Sequence, residues 1–189
     1  MNSDFHRSRA GKGAVRIEEG RIRERVLELA RQISADSRGQ RLHLVCVLRG
    51  AYIFCADLSR ALEVPHSVDF LAISSYGGGT QTSGDVRLTK DLEHSITGRH
   101  VLIVEDIVDT GLTMDYLLRS FRERGPASVR VCSLLSKPAR RRVHVPIDYL
   151  GFEIENAYVY GYGLDRDELD RGLPEITSLA ADEIEPVKR

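Results

Sequence analysis

The stretch Val101-Leu102-Ile103-Val104-Glu105-Asp106-Ile107-Val108-Asp109-Thr110-Gly111-Leu112-Thr113 decides how this chain reads. Its opening residues are apolar and mostly β-branched, which predicts a buried strand over 100–104 ended by two adjacent carboxylates. A short loop of Asp, Thr and Gly follows. Met114-Asp115-Tyr116-Leu117-Leu118-Arg119-Ser120-Phe121 then begins a helix, its apolar residues at helical spacing. The first N–H groups of a helix lack intrahelical partners, and the helix dipole favours negative charge there. Loop and helix start together predict an anion cradle suited to a phosphate. An ordinary strand-to-helix connection with polar turn residues is the alternative. A buried strand, paired acids and Asp-Thr-Gly-x-Thr in one run favour the phosphate site.

Working outward, helical spacing of Ile22, Val26, Leu29, Ala30 and Ile33 predicts a helix over 18–34. Leu42–Leu48 reads as a buried strand broken by Gly50, and 51–62 as a helix. Residues 66–75 read as a strand. Residues 76–85 are rich in Gly, Thr, Ser and Gln without an apolar anchor, so a mobile loop is expected. Residues 86–92 predict a short strand closing that loop's hairpin. The helix after the cradle runs to about Arg124, and 128–136 is another buried strand. Two short strands are expected over 147–154 and 158–163. Strands alternating with helices argue for an α/β fold, a mostly parallel twisted sheet covered on both faces. Ligands bind such sheets beyond the carboxyl ends of the strands. Leu48-Arg49-Gly50, the 105–113 run and Lys137 all fall there.

Composition narrows the function classes. The chain has 189 residues, 42% of them hydrophobic, enough for one α/β domain with a normal core. Lys plus Arg is 27 and Asp plus Glu is 28, a net charge of −1. No bulk attraction to nucleic acid or to a membrane surface follows, although a local basic site for a polyanion is compatible with it. The three cysteines, Cys46, Cys55 and Cys132, lie in apolar runs without metal-ligand spacing and read as core residues in a reducing compartment. No apolar stretch approaches a membrane span. Residues 1–14 are polar and basic with no signal core, so a disordered tail and a cytoplasmic protein are expected, with 15–189 as a single domain. The stretch Gly79-Thr80-Gln81-Thr82-Ser83-Gly84 lacks the lysine of a Walker loop, and no Gly-x-Gly-x-x-Gly follows a strand.

The 101–113 run resembles the binding signature of the type I phosphoribosyltransferases, which use phosphoribosyl pyrophosphate (PRPP). Lys137 and the region Gly151-Phe152-Glu153-Ile154 through Tyr158-Val159-Tyr160-Gly161-Tyr162-Gly163-Leu164-Asp165 are similar to the hypoxanthine-guanine members of that family. The likeness extends over about 17–174. It implies the family's fold: a central, mostly parallel sheet flanked by helices, a small hood from the terminal segments (about 158–189 at the C-terminal end) and a mobile lid.

It also implies roles. Glu105 and Asp106 hold the ribose hydroxyls, while Thr110, Gly111, Leu112 and Thr113 hold the 5′-phosphate. Arg49 and Gly50 belong to a pyrophosphate loop, in which the family commonly shows a cis peptide, here Leu48–Arg49. Arg171 approaches pyrophosphate, and Asp165 faces Mg²⁺, with Glu105 and Asp106 on the metal's side of the site. Ser75 and Tyr76 open the lid. Lys137 hydrogen-bonds the purine 6-oxo group, Tyr158 stacks on the base, and the Val159 backbone meets the ring edge. Asp109 serves as general acid/base. By residue type alone, Lys137 and Arg171 read as solvated charges and Tyr158 as a core tyrosine.

The resemblance implies a purine salvage enzyme taking PRPP with hypoxanthine or guanine, using Mg²⁺, and forming a dimer or tetramer. A PRPP-binding regulator that keeps the fold, or an enzyme for another base such as xanthine, is the competing expectation. Asp109 together with Lys137 and Tyr158-Val159 favours the enzyme.

Overall fold

The computed structural model describes residues 15–75 and 86–179. The elements are β1 (Arg16–Ile17), α1 (Glu19–Asp36), β2 (Leu42–Leu48), α2 (Tyr52–Ala61), β3 (His66–Ser75), β4 (Val86–Lys90), β5 (His100–Val108), α3 (Leu112–Glu123), β6 (Ser128–Ser136), a 3₁₀ turn (Pro138–Arg140), β7 (Tyr149–Glu153), β8 (Val159–Tyr160) and β9 (Ile176–Ser178). Six strands form one sheet in the order β4-β3-β2-β5-β6-β7, parallel throughout except for the β3–β4 hairpin pair.

Each central strand carries apolar residues to both faces, as a doubly covered parallel sheet requires. From β2, Leu44 and Cys46 join Leu102 and Val104 of β5 against α1 and α2, with Ile22, Val26, Leu29, Phe54 and Leu58. Val45 and Val47 turn the other way with Val101 and Ile103, against Met114, Leu117, Leu118 and Phe121 of α3. The three cysteines are buried in the first of these clusters and unpaired.

This topology places the site. The chain leaves β2 through α2 towards β3 on one side, and leaves β5 through α3 towards β6 on the other. The strand order therefore reverses between β2 and β5, which is where open α/β sheets bind ligands. The ladder between these strands runs from Leu42↔His100 to Cys46↔Val104 and stops. Strand β5 continues with β6 alone, to Val108↔Ser136. Glu105 and Asp106 thus lie inside the strand and do not end it as their polarity suggests: β6 satisfies the backbone on one side, while the parting from β2 opens a crevice on the other.

A second, three-stranded antiparallel sheet, β1-β9-β8, joins the two ends of the described chain. Ile17 pairs with Ile176 and Tyr160 with Thr177. This sheet is the small hood. The final expected strand is shorter than 158–163, because Gly161, Tyr162 and Gly163 all take positive φ and turn the chain. The expected tail over 1–14, the loop over 76–85, which contains the lid residue Tyr76, and the segment 180–189 lie outside the described residues. Ser75 ends β3 at the margin of that gap.

Candidate active site

The crevice between β2 and β5 is a cleft of about 240 Å³ lined by 47–50, Ile73, 105–111, Thr113 and Met114. Its floor is the Glu105–Asp106 pair. Glu105 is buried, and its carboxyl ionises well above the usual range, first because of burial and then because of the Asp106 charge beside it. Asp106 is shifted upward as well, chiefly by desolvation, with the Ile107 N–H and the charge of Arg171 pulling the other way. The Ile107 N–H donates to Asp106 Oδ1 at 2.8 Å. A buried and a half-buried carboxyl side by side resist ionisation together, and their oxygens can accept from ligand hydroxyls.

Above this floor runs the loop after β2. The Leu48–Arg49 peptide is cis, as the resemblance implied. Gly50 lies against the Asp106 carboxylate so closely that any β-carbon would overlap it. Here glycine is needed for the close approach of the loop backbone to the carboxylate.

The cradle proper is the turn into α3. Gly111 caps the helix with φ 87°, a left-handed conformation that glycine takes without penalty. The Leu112 N–H donates to Thr110 Oγ1 at 3.5 Å. Thr110 and Thr113 are partly exposed, and Leu112 opens α3. The start of α3 and the two threonines therefore stand together at the cleft, where an anion gains most from the dipole.

Asp109 stands at the rim, between this cradle and Lys137 at the end of β6. Lys137 Nζ lies 3.8 Å from Asp109 Oδ2, its side chain only 11% exposed. Burial lowers the Lys137 pKa, and the Asp109 charge partly restores it. Its own N–H donates to the Val108 carbonyl at 3.0 Å, so β6 and the cradle loop are joined. The lysine is not a solvated charge.

A third group comes from the hood side. Gly163 packs on the Gly50 carbonyl, bringing the 161–171 loop onto the β2 loop. Arg171 Nη2 pairs with Asp165 Oδ1 at 2.8 Å, and Arg171 Nη1 donates to the Gly163 carbonyl at 2.9 Å. Arg49, largely exposed, pairs with Glu168 at 2.6 Å. Tyr158 is 49% exposed and donates its hydroxyl to the Asp165 carbonyl at 3.1 Å, so it is not a core tyrosine. Tyr160 and Tyr162 are the buried ones. The Val159 side chain is buried, and its backbone is paired in β8 with Ser178.

Two residues escaped the sequence reading. Arg140 Nε donates to Asp109 Oδ1 at 2.9 Å. Arg141 Nη2 donates to Ser136 Oγ at 2.7 Å, while its Nη1 is buried with no hydrogen-bond partner among the described residues. The only signal was the basic run Arg140-Arg141-Arg142, whose usual meaning is a solvated face.

A helix-start cradle suited to an anion at the switch point, two acids beneath it and a lysine–carboxylate pair at its rim suit an α/β enzyme with a phosphorylated ligand. The family model for the phosphoribosyl transferase domain matches residues 16–167. The chain is 51% identical over 164 residues to the hypoxanthine-guanine phosphoribosyltransferase of Mycobacterium avium, covering 84% of this chain and 81% of the relative. It is 45% identical over 164 residues to the hypoxanthine phosphoribosyltransferase of Escherichia coli, covering 86% and 92%. Among solved structures, a hypoxanthine phosphoribosyltransferase from Staphylococcus aureus superposes with a TM-score of 0.90 at 36% identity, over 98% of this chain and all of the other. The chain belongs to the phosphoribosyltransferase family, on its hypoxanthine-guanine branch.

Proposed function

We propose that this chain is a purine salvage enzyme transferring the 5-phosphoribosyl group from PRPP to N9 of hypoxanthine or guanine, with release of pyrophosphate. The observation that carries the reading is the Lys137–Asp109 pair. A nearly buried ammonium faces a carboxylate at the rim of a phosphate cradle, matching the polar edge of a 6-oxopurine.

The residues divide the work. Thr110, Gly111, Leu112 and Thr113 anchor the 5′-phosphate, and Glu105 with Asp106 accepts from the ribose hydroxyls. Backbone N–H groups of the Arg49-Gly50 loop and the Arg171 guanidinium take the pyrophosphate. Lys137 donates to the purine 6-oxo oxygen, Tyr158 stacks on the ring, and the Val159 backbone limits its edge. As N9 forms its bond to the anomeric carbon, the bond to pyrophosphate breaks. Asp109 accepts the proton that leaves the purine imidazole. Holding sugar and base in line removes much of the entropic barrier. Ser75 and Tyr76 belong to a lid that keeps water from the cationic sugar.

The donor set fits Mg²⁺. Asp165, Glu105 and Asp106 offer hard oxygen ligands, and among the described residues no three metal-binding side chains converge. Such a site suits an ion that keeps its waters and arrives with the substrate. When bound, Mg²⁺ neutralises charge on the departing pyrophosphate. A cytoplasmic dimer or tetramer completes the reading. Among the described residues no helix is long and apolar enough to cross a membrane.

The test is a product assay with PRPP, Mg²⁺ and a panel of free bases. Hypoxanthine and guanine should yield their nucleoside monophosphates. Preferred turnover of adenine or orotate overturns the assignment, and PRPP binding without product from any base returns the regulator.

A further inference from the structure

Lys137 accounts for one oxygen of Asp109, and Arg140 holds the other. Its Nε donates to Oδ1 at 2.9 Å, while Lys137 Nζ stands 3.8 Å from Oδ2. The backbone fixes this arrangement. Segment 137–143 crosses the cradle loop as a strap tied at both ends. At one end the Lys137 N–H donates to the Val108 carbonyl at 3.0 Å. At the other, the N–H groups of Arg142 and Val143 both donate to the Thr110 carbonyl, at 2.9 and 3.2 Å. Between the ties Pro138 opens a 3₁₀ turn that the Arg140 N–H closes onto the Lys137 carbonyl at 3.1 Å. Asp109 lies between the two residues that anchor the strap, so strap and carboxylate share one frame. Arg141, next along the strap, is committed to Ser136 instead.

We propose that Arg140 is a positioning residue for the base step. It pins Oδ1 of Asp109 and leaves Oδ2 as the oxygen that meets Lys137 and the purine. This rests on Asp109 being the proton acceptor. In the step, the purine ring proton moves to Oδ2 as N9 bonds the anomeric carbon, and the electron pair of the broken C–O bond leaves with pyrophosphate. Lys137 turns its ammonium from Oδ2 to donate to the 6-oxo oxygen, while Arg140 keeps the carboxylate from rotating. The Arg140 side chain is 45% exposed, and such ion pairs add little to stability. Its effect belongs in turnover.

A double-mutant cycle tests this. Steady-state titrations in PRPP and in base are made for Arg140→Ala and Arg140→Lys, each in the wild-type and Asp109→Asn backgrounds. Arg140→Ala should lower kcat roughly tenfold, within the range of coupled neighbours, with the KM for PRPP and the thermal midpoint unchanged. Arg140→Lys should recover part of the loss. In the Asp109→Asn background Arg140→Ala should cost nothing further, because there is no longer a base to aim. An equal loss in both backgrounds overturns the proposal. So does a raised KM for PRPP at constant kcat, which would make Arg140 a phosphate ligand, or a faster enzyme, which would make the contact inhibitory. Failure of the underlying reading shows separately, as near wild-type turnover by Asp109→Asn alone.

Discussion

Lys137 shows how far a residue's role can be read before its surroundings are known. Its residue type and position at a strand end were visible in the sequence. Its burial and the Asp109 carboxylate 3.8 Å away were not. Lys137→Ala is expected to raise the KM for hypoxanthine about tenfold or more, since a buried polar base edge is left unpaired. The KM for PRPP should change little. Parallel titrations check this, and an effect confined to PRPP would give Lys137 another task. Arg140 was hidden for a different reason. Nothing in a run of three arginines says that a proline-led 3₁₀ turn will aim the first of them at a carboxylate. The tyrosines were ambiguous because strand alternation puts 158, 160 and 162 on one face. The strand covers only Val159–Tyr160, so Tyr158 stands before it half-exposed while Tyr160 is buried within it, and Gly161 and Tyr162 then turn the chain with positive φ.

At the scale of elements, strands with many apolar residues were legible to the residue: Leu42–Leu48, His66–Ser75 and Ser128–Ser136 all stand where their pattern placed them. The extension of β5 through Glu105 and Asp106 was not, because its cause is pairing with β6 and not side-chain polarity. Strands β1 and β9 are two and three residues long and exist through the pairing of Ile17 with Ile176, a contact that local periodicity cannot register. The meeting of β2 with β5 was readable only as a glycine after a strand. Gly50→Ala tests what that glycine does. Its β-carbon would displace the Asp106 carboxylate, and overpacking of this kind typically costs about 1–3 kcal/mol. The KM for PRPP should rise about tenfold or more while far-UV circular dichroism is unchanged, given the role proposed for Asp106 in holding ribose. A variant with normal PRPP saturation would mean that the loop yields at no cost to the site.

For the whole molecule, the buried Glu105 carboxyl beside Asp106 works against the fold. Glu105 has a folded pKa raised by burial and by Asp106, above an unfolded value of about 4.3. A carboxyl shifted this way contributes its full stability below the unfolded value and loses it as pH rises through the folded value. The loss accrues at about 1.4 kcal/mol per pH unit for each proton of difference. Asp69 has the opposite sign. Accepting the Phe70, Glu93 and His94 N–H groups holds its pKa below the usual value despite burial, so its contribution is present above about 3.9 and fades as pH falls through the folded value. Glu105 should therefore cost the ligand-free protein stability between pH 5 and pH 8, and Asp69 should cost it stability in acid. Glu105→Gln, which keeps the shape but cannot ionise, should flatten the alkaline decline and unfold at higher urea than the parent at pH 8, while needing more PRPP to saturate. PRPP should narrow the difference, because in the proposed binding mode ribose hydroxyls donate to the charged pair, and binding stabilises only the folded state. Urea titrations of both proteins across this range, with and without PRPP, read the outcome. Parallel curves for parent and variant between pH 5 and 8 would mean that the cleft hydrates Glu105 well enough to remove the conflict, and that the fold gives up no stability to hold ribose.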